Sequence, residues 1–204
     1  MGRRRSRACA IGACALGVTA SGPACAHTAV FGLTGFPAML LHPLVTPEQG
    51  LGLVAAALLV VEQVRPRLPV AMACLLAGLG ASFVYLFVLP PFAGAAFAPL
   101  IATGLVAALV ALAWRPPPPV VAVPVAAVGF AVGLSTLTEA QTLAHAAQLL
   151  AGTAIGSVTA FALIGLGWAR LAGAWRNVAA RIVCSWIVAS VLLVLALVLF
   201  RPAG

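Results

Sequence analysis

The sequence predicts an all-α membrane protein, and three observations carry that expectation. Of its 204 residues, 64% are hydrophobic and only 7% are charged, where soluble domains carry about 25%. Long apolar runs recur along the chain. Arg and Pro stop them, and the internal Arg fall between the runs. A surface facing water cannot be built from so few charges. That excludes a soluble enzyme, a disordered chain and a nucleic-acid binder. The formal charge of +8 comes from eleven Arg, no Lys and three Glu. Four of these Arg (Arg3, Arg4, Arg5, Arg7) lie at the N-terminus, and without them the charge is +4. The basic balance reflects topology, not an anionic partner.

The N-terminus reads as a secretory signal. Arg3 to Arg7 form a positive region, Ala8 to Ala20 an apolar stretch, and Ala24-Cys25-Ala26 a cleavage site. The apolar stretch is shorter than the ~20 residues that a spanning helix needs. Residues 1–26 are therefore expected to be a signal peptide, with His27 as the mature N-terminus and 27–204 as a single helical transmembrane domain. An uncleaved anchor is the alternative. Cys74 and Cys184 sit in apolar runs and read as packing residues.

The mature chain then reads as about six spans, the first of them short. They are Gly50 to Val64, Leu68 to Leu89, Phe92 to Trp114, Val120 to Leu137, Leu143 to Trp168 and Ile182 to Phe200. Ala29 to Leu41 is too short to cross and is broken by Pro37, so it reads as re-entrant or interfacial. With that assignment Arg65, Arg67, Arg115, Arg170, Arg176 and Arg181 all fall inside, as the positive-inside rule requires. The expected location is the bacterial inner membrane, multi-pass, with the mature N-terminus outside. Glu62, near the inner face, reads as an ion-pair partner close to Arg65 in sequence. Gly152-x-x-x-Gly156 with Ala160 reads as a close-packing face, and Gly78 and Gly80 as the same device.

The remaining ionisable groups gather on the outer side. His42 and Glu48 lie in Leu41-His42-Pro43-Leu44-Val45-Thr46-Pro47-Glu48-Gln49, and Glu139 and His145 follow the fourth span. Imidazole and carboxylate together suit a borderline divalent cation such as nickel or zinc. The plainer alternative is a set of loop residues solvated at the outer interface.

Gly35-Phe36, Leu41-His42-Pro43-Leu44 and Glu48-Gln49 resemble the G-F-x-H-P-x-x-G-x-D-H signature of the HupE/UreJ family of hydrogenase and urease accessory membrane proteins. Ala26-His27-Thr28 resembles the start of the mature family proteins. Val132-Gly133-Leu134-Ser135-Thr136-Leu137-Thr138-Glu139 is similar to a later motif, H-G-x-x-H-G-x-E. The departures are Glu48 for Asp, Gln49 for His, Thr46 for Gly, and Val132 and Thr136 for two His. Leu163 stands where the family has a further His in the fifth span. The resemblance implies nickel entry or supply for a metalloenzyme. It would act through a weakened site of His42, Glu48 and Glu139, with His27 and His145 as further candidates. It implies no resident cofactor, only transient nickel or another divalent cation. Its partners would be the lipid bilayer and a metalloenzyme maturation system or other membrane subunits, with no nucleic acid. A second class stays open: a non-transporting membrane subunit or scaffold that has kept the fold and lost the metal. No nucleotide-binding loop or catalytic triad appears, so an enzyme is not expected.

Overall fold

The computed structural model describes residues 36–63, 68–89, 97–115, 117–137 and 142–200. Seven helices occupy them: α1 Phe36–Val45, α2 Pro47–Gln63, α3 Leu68–Val88, α4 Ala98–Ala111, α5 Pro118–Leu137, α6 Leu143–Ala169 and α7 Trp175–Leu199. No strand occurs among the described residues. The chain is an all-α membrane protein. The signal segment, its cleavage site and His27 lie outside the described residues.

Four helices (α3, α5, α6 and α7) are long and apolar enough to cross a membrane, and the pair α1 and α2 adds a fifth if it counts as one bent span. The run from Phe92 to Trp114, expected as a full span, is helical among its described residues only over the 14 residues of α4. Such a helix is about 21 Å long against a hydrocarbon core of about 30 Å.

The start of the chain differs most from expectation. The sequence predicts a re-entrant or interfacial piece ending at Leu41 and a first span starting at Gly50, with a solvated loop between them as the plainer alternative. The stretch between them is helical instead, in α1 and α2, which meet at Thr46 with a bend of 68°. Proline chemistry sets the break. Pro47 has no N–H to give the Pro43 carbonyl four residues back, and its ring disfavours a helical conformation at Thr46. Thr46 N–H still bonds to the His42 carbonyl at 3.0 Å, so α1 finishes its last turn before the chain bends.

α2 is the hub and touches every other helix. Leu53 and the run Ala55 to Val60 are almost wholly buried. Around it α3 and α5 form the most extensive pair. Their backbones approach so closely that a Cβ at Gly78 would strike the Ala126 carbonyl, and one at Gly129 the Leu75 carbonyl. Gly80, expected to share that role, faces open space. The expected small-residue face of α6 receives α1: a Cβ at Gly152 would meet Met39, and one at Gly156 the Leu40 carbonyl.

One end of the bundle collects the basic residues. Glu62, at the end of α2, has a side chain 1% exposed and pairs with Arg176 Nε at 2.7 Å. The indole of Trp168, at the end of α6, donates to the same Glu62 oxygen at 2.7 Å. Arg176 thus takes the role the sequence placed near Arg65, which lies outside the described residues. Arg181 Nε donates to the Ala111 carbonyl at the end of α4, at 3.1 Å. The C-terminal ends of α2, α4 and α6 and the start of α7 therefore share this end, which agrees with the alternation read from the Arg positions.

Two residues with positive φ lie at the helix connections here. Gly173, at φ 112°, turns the chain between α6 and α7. Ala113, at φ 53°, ends α4, where Ala113 N–H bonds to Val110 O at 2.9 Å and Trp114 N–H to Leu109 O at 3.1 Å. A Cβ is costly in that conformation, and this helix end ordinarily takes Gly. Ala113→Gly is expected to stabilise the protein by about 0.5–1 kcal/mol, seen as a higher melting temperature in detergent. Gly129→Ala is expected to cost about 1–3 kcal/mol by forcing α3 from α5, and a melting temperature equal to wild type would refute that packing.

Candidate functional site

His42 lies in the last turn of α1, just before the break, and is 6% exposed. Gln49 lies in the first turn of α2, just after it, and is 1% exposed. The bend folds these two side chains onto each other. His42 Nδ1 is 3.3 Å from Gln49 Oε1. Gln49 Nε2 donates to Ser135 Oγ on α5 at 2.9 Å, and Ser135 Oγ donates to the Val132 carbonyl at 3.0 Å. The hydroxyl of Thr46, at the bend itself, lies 3.4 and 3.5 Å from the two ring nitrogens of His42.

The direction of this chain follows from its end. The Val132 carbonyl only accepts, so Ser135 donates to it and receives from the Gln49 amide. That leaves the Gln49 carbonyl oxygen facing His42, and Nδ1 must be the protonated nitrogen. Nε2 then carries the lone pair, with the Thr46 hydroxyl 3.5 Å away, and is the ring atom that a metal ion would use in exchange for that long contact. Histidines that bind metal are oriented in the same way, with the other ring N–H held by an acceptor.

Backbone oxygens add to the donors. Pro43 cannot donate to Met39 O, nor Pro47 to Pro43 O, so two carbonyls beside His42 lack their usual helical partner. Glu48 is half-buried, and its backbone carbonyl accepts from Thr103 Oγ1 on α4 at 3.1 Å, tying the start of α2 to a third helix.

The other candidates are placed less closely. His145 sits in the first turn of α6, capped by Thr142, whose hydroxyl accepts from His145 N at 3.1 Å. His42, Glu48 and His145 do not converge: no group of three His, Cys, Asp or Glu that could hold a metal exists among the described residues. Glu139 and His27 lie outside those residues. Leu163, where the resembled family has a His, is 67% exposed on the outside of the bundle. Gln49 and Ser135 carry more of the site than sequence reasoning assigned them. The signal that could have found Gln49 was the proline pair at 43 and 47, which brings residues on either side of the bend together.

Gln49→Leu is expected to take the acceptor from His42 Nδ1 and the Gln49 donor from Ser135. In ¹⁵N NMR of the imidazole, wild-type His42 should show the Nδ1–H tautomer when neutral, and Gln49→Leu should shift the population toward Nε2–H. A wild-type Nε2–H tautomer would break the chain as drawn.

No family model matches the chain, and no curated protein or solved structure matches it. The HupE/UreJ resemblance stands on the motif residues alone.

Proposed function

We propose that the protein handles nickel or a related divalent cation in the bacterial inner membrane, taking it up or supplying it to a metalloenzyme. The observation that carries this reading is the buried His42 at a broken helix, with Nδ1 held by Gln49 and the Nε2 lone pair facing the Thr46 hydroxyl at a long 3.5 Å. Broken helices in membrane proteins present free backbone carbonyls and helix ends to ions, in places where a continuous helix presents none. Imidazole nitrogen is the donor that nickel prefers among those here.

The ion is handled transiently. Among the described residues His42 brings one nitrogen ligand and neutral oxygens, without a converging carboxylate. Glu48, Glu139, His27 and His145 serve as donors at the outer mouth, where the ion is captured before it reaches His42. Glu139 follows Ser135 by one helical turn's worth of chain. The mature N-terminus lies outside, and the Arg-rich end of the bundle faces the cytoplasm.

A second reading has its own observation. His42, Gln49 and Ser135 satisfy one another across three helices, as a purely structural clamp would. The protein would then be a membrane subunit or scaffold without metal chemistry.

Binding of nickel, cobalt and zinc to the purified protein in detergent separates the two. Metal handling predicts saturable binding that falls about 10–100-fold in affinity in His42→Ala and further in His42→Ala with Glu48→Ala. If His145 serves as a ligand, His145→Ala should weaken binding to a similar degree as His42→Ala. Equal binding by wild type and the double variant, or none by either, would favour the scaffold.

A further inference from the structure

Thr153 and Ser157 lie one turn apart on α6, and both are 0% exposed. Neither hydroxyl has a hydrogen-bond partner among the described residues. Other helix hydroxyls in this protein behave differently. Ser82 bonds back to Leu79 O, Ser135 and Thr136 to Val132 O, and Ser185 to Arg181 O. That back-bond is the ordinary fate of Ser and Thr inside a helix, and in an apolar surrounding it is the cheap one. Thr153 and Ser157 forgo it and turn their oxygens into the bundle. Burying an unpaired hydroxyl is costly, so a polar occupant that pairs with both is favoured.

The chemistry of the surroundings identifies the occupant. A multivalent cation would need anionic or imidazole ligands, and no cluster of these exists among the described residues. An anion would need a positive charge, and Arg176 is held by Glu62 at the far end of α6, beside Trp168, and Arg181 by the Ala111 carbonyl of α4. Water both gives and accepts hydrogen bonds, as the hydroxyls do. Side chains one turn apart on a helix stand about 5–6 Å apart, which one water spans with two ordinary hydrogen bonds. A buried water takes about three partners. The neighbouring contact offers one more acceptor: Met39 packs on Gly152, the residue before Thr153, and its carbonyl has lost its i+4 donor to Pro43.

We propose that Thr153 and Ser157 form an internal water-binding site on the buried face of α6, next to the contact between α6 and the broken span. The site is a polar rung on a helix whose other buried residues are apolar. It does not depend on whether the protein handles a metal.

Two measurements on the full-length protein in lipid nanodiscs test it. The first is a double-variant cycle with Thr153→Val and Ser157→Ala. A shared water predicts that each single variant lowers the melting temperature by about 2–4 °C, and that the double variant loses less than the sum, because no polar group is then left unpaired. The second is hydroxyl-radical footprinting by X-ray pulse, which labels side chains beside bound water even without bulk access. Labelling of the 149–161 stretch should occur in wild type and fall in the double variant. Thr159→Val, on the exposed side of the same helix, should leave both readouts unchanged. Additive rises in melting temperature, additive losses, or no labelling of that stretch in wild type would each overturn the site.

Discussion

Pro47 has no N–H, so the Pro43 carbonyl four residues back loses its helical partner. Much of this structure is arranged around that constraint. The helix breaks at Thr46, and the two halves, α1 and α2, take directions 68° apart. The bend is held from several sides. Gln49 reaches Ser135 on α5, the Glu48 carbonyl accepts from Thr103 on α4, and α1 lies against the glycines of α6. Because α2 begins at this break and then touches every other helix, the break sets where the hub of the bundle starts.

Close backbone approach does the rest of the packing. Lipid is as apolar as the helix surfaces, so burial of Leu and Val contributes less to holding helices together than it would in water. Small residues bring van der Waals contact and backbone dipoles nearer instead. Gly78 and Gly129 do this between α3 and α5, and Gly152 and Gly156 do it between α6 and α1. α7 stands apart from that scheme, with most of its length exposed. It is held chiefly along α4 and by two Arg near its start, one paired with Glu62 and one with the Ala111 carbonyl.

Much of the fold was legible before any coordinates. The helical class and the grouping of Arg at one end follow from hydropathy and charge along the chain, which are local properties. The helices around His42 were not legible because the composition there resembles a loop: two Pro, a Thr, a Glu and a Gln within nine residues. Local propensity assigns such a stretch to solvent. Packing of α1 on Gly152 and Gly156 overrode it, since contact with a glycine face can hold a short, Pro-interrupted helix that would not form alone. The ion-pair role of Glu62 was legible too, but its partner Arg176 was not, because that residue arrives from more than a hundred residues away.

The sequence by itself determined that this is a membrane bundle, where its apolar segments begin and end, and which residue types are available for chemistry. Each of those depends on the order of residues along one strand of chain. Tertiary structure alone decided that His42 is buried and not solvated, that its Nδ1 is committed to Gln49, and that Thr153 and Ser157 turn inward while Thr159 turns out. Those outcomes depend on what another helix places opposite, and in a low-dielectric interior the nearest polar partner fixes what a side chain can do.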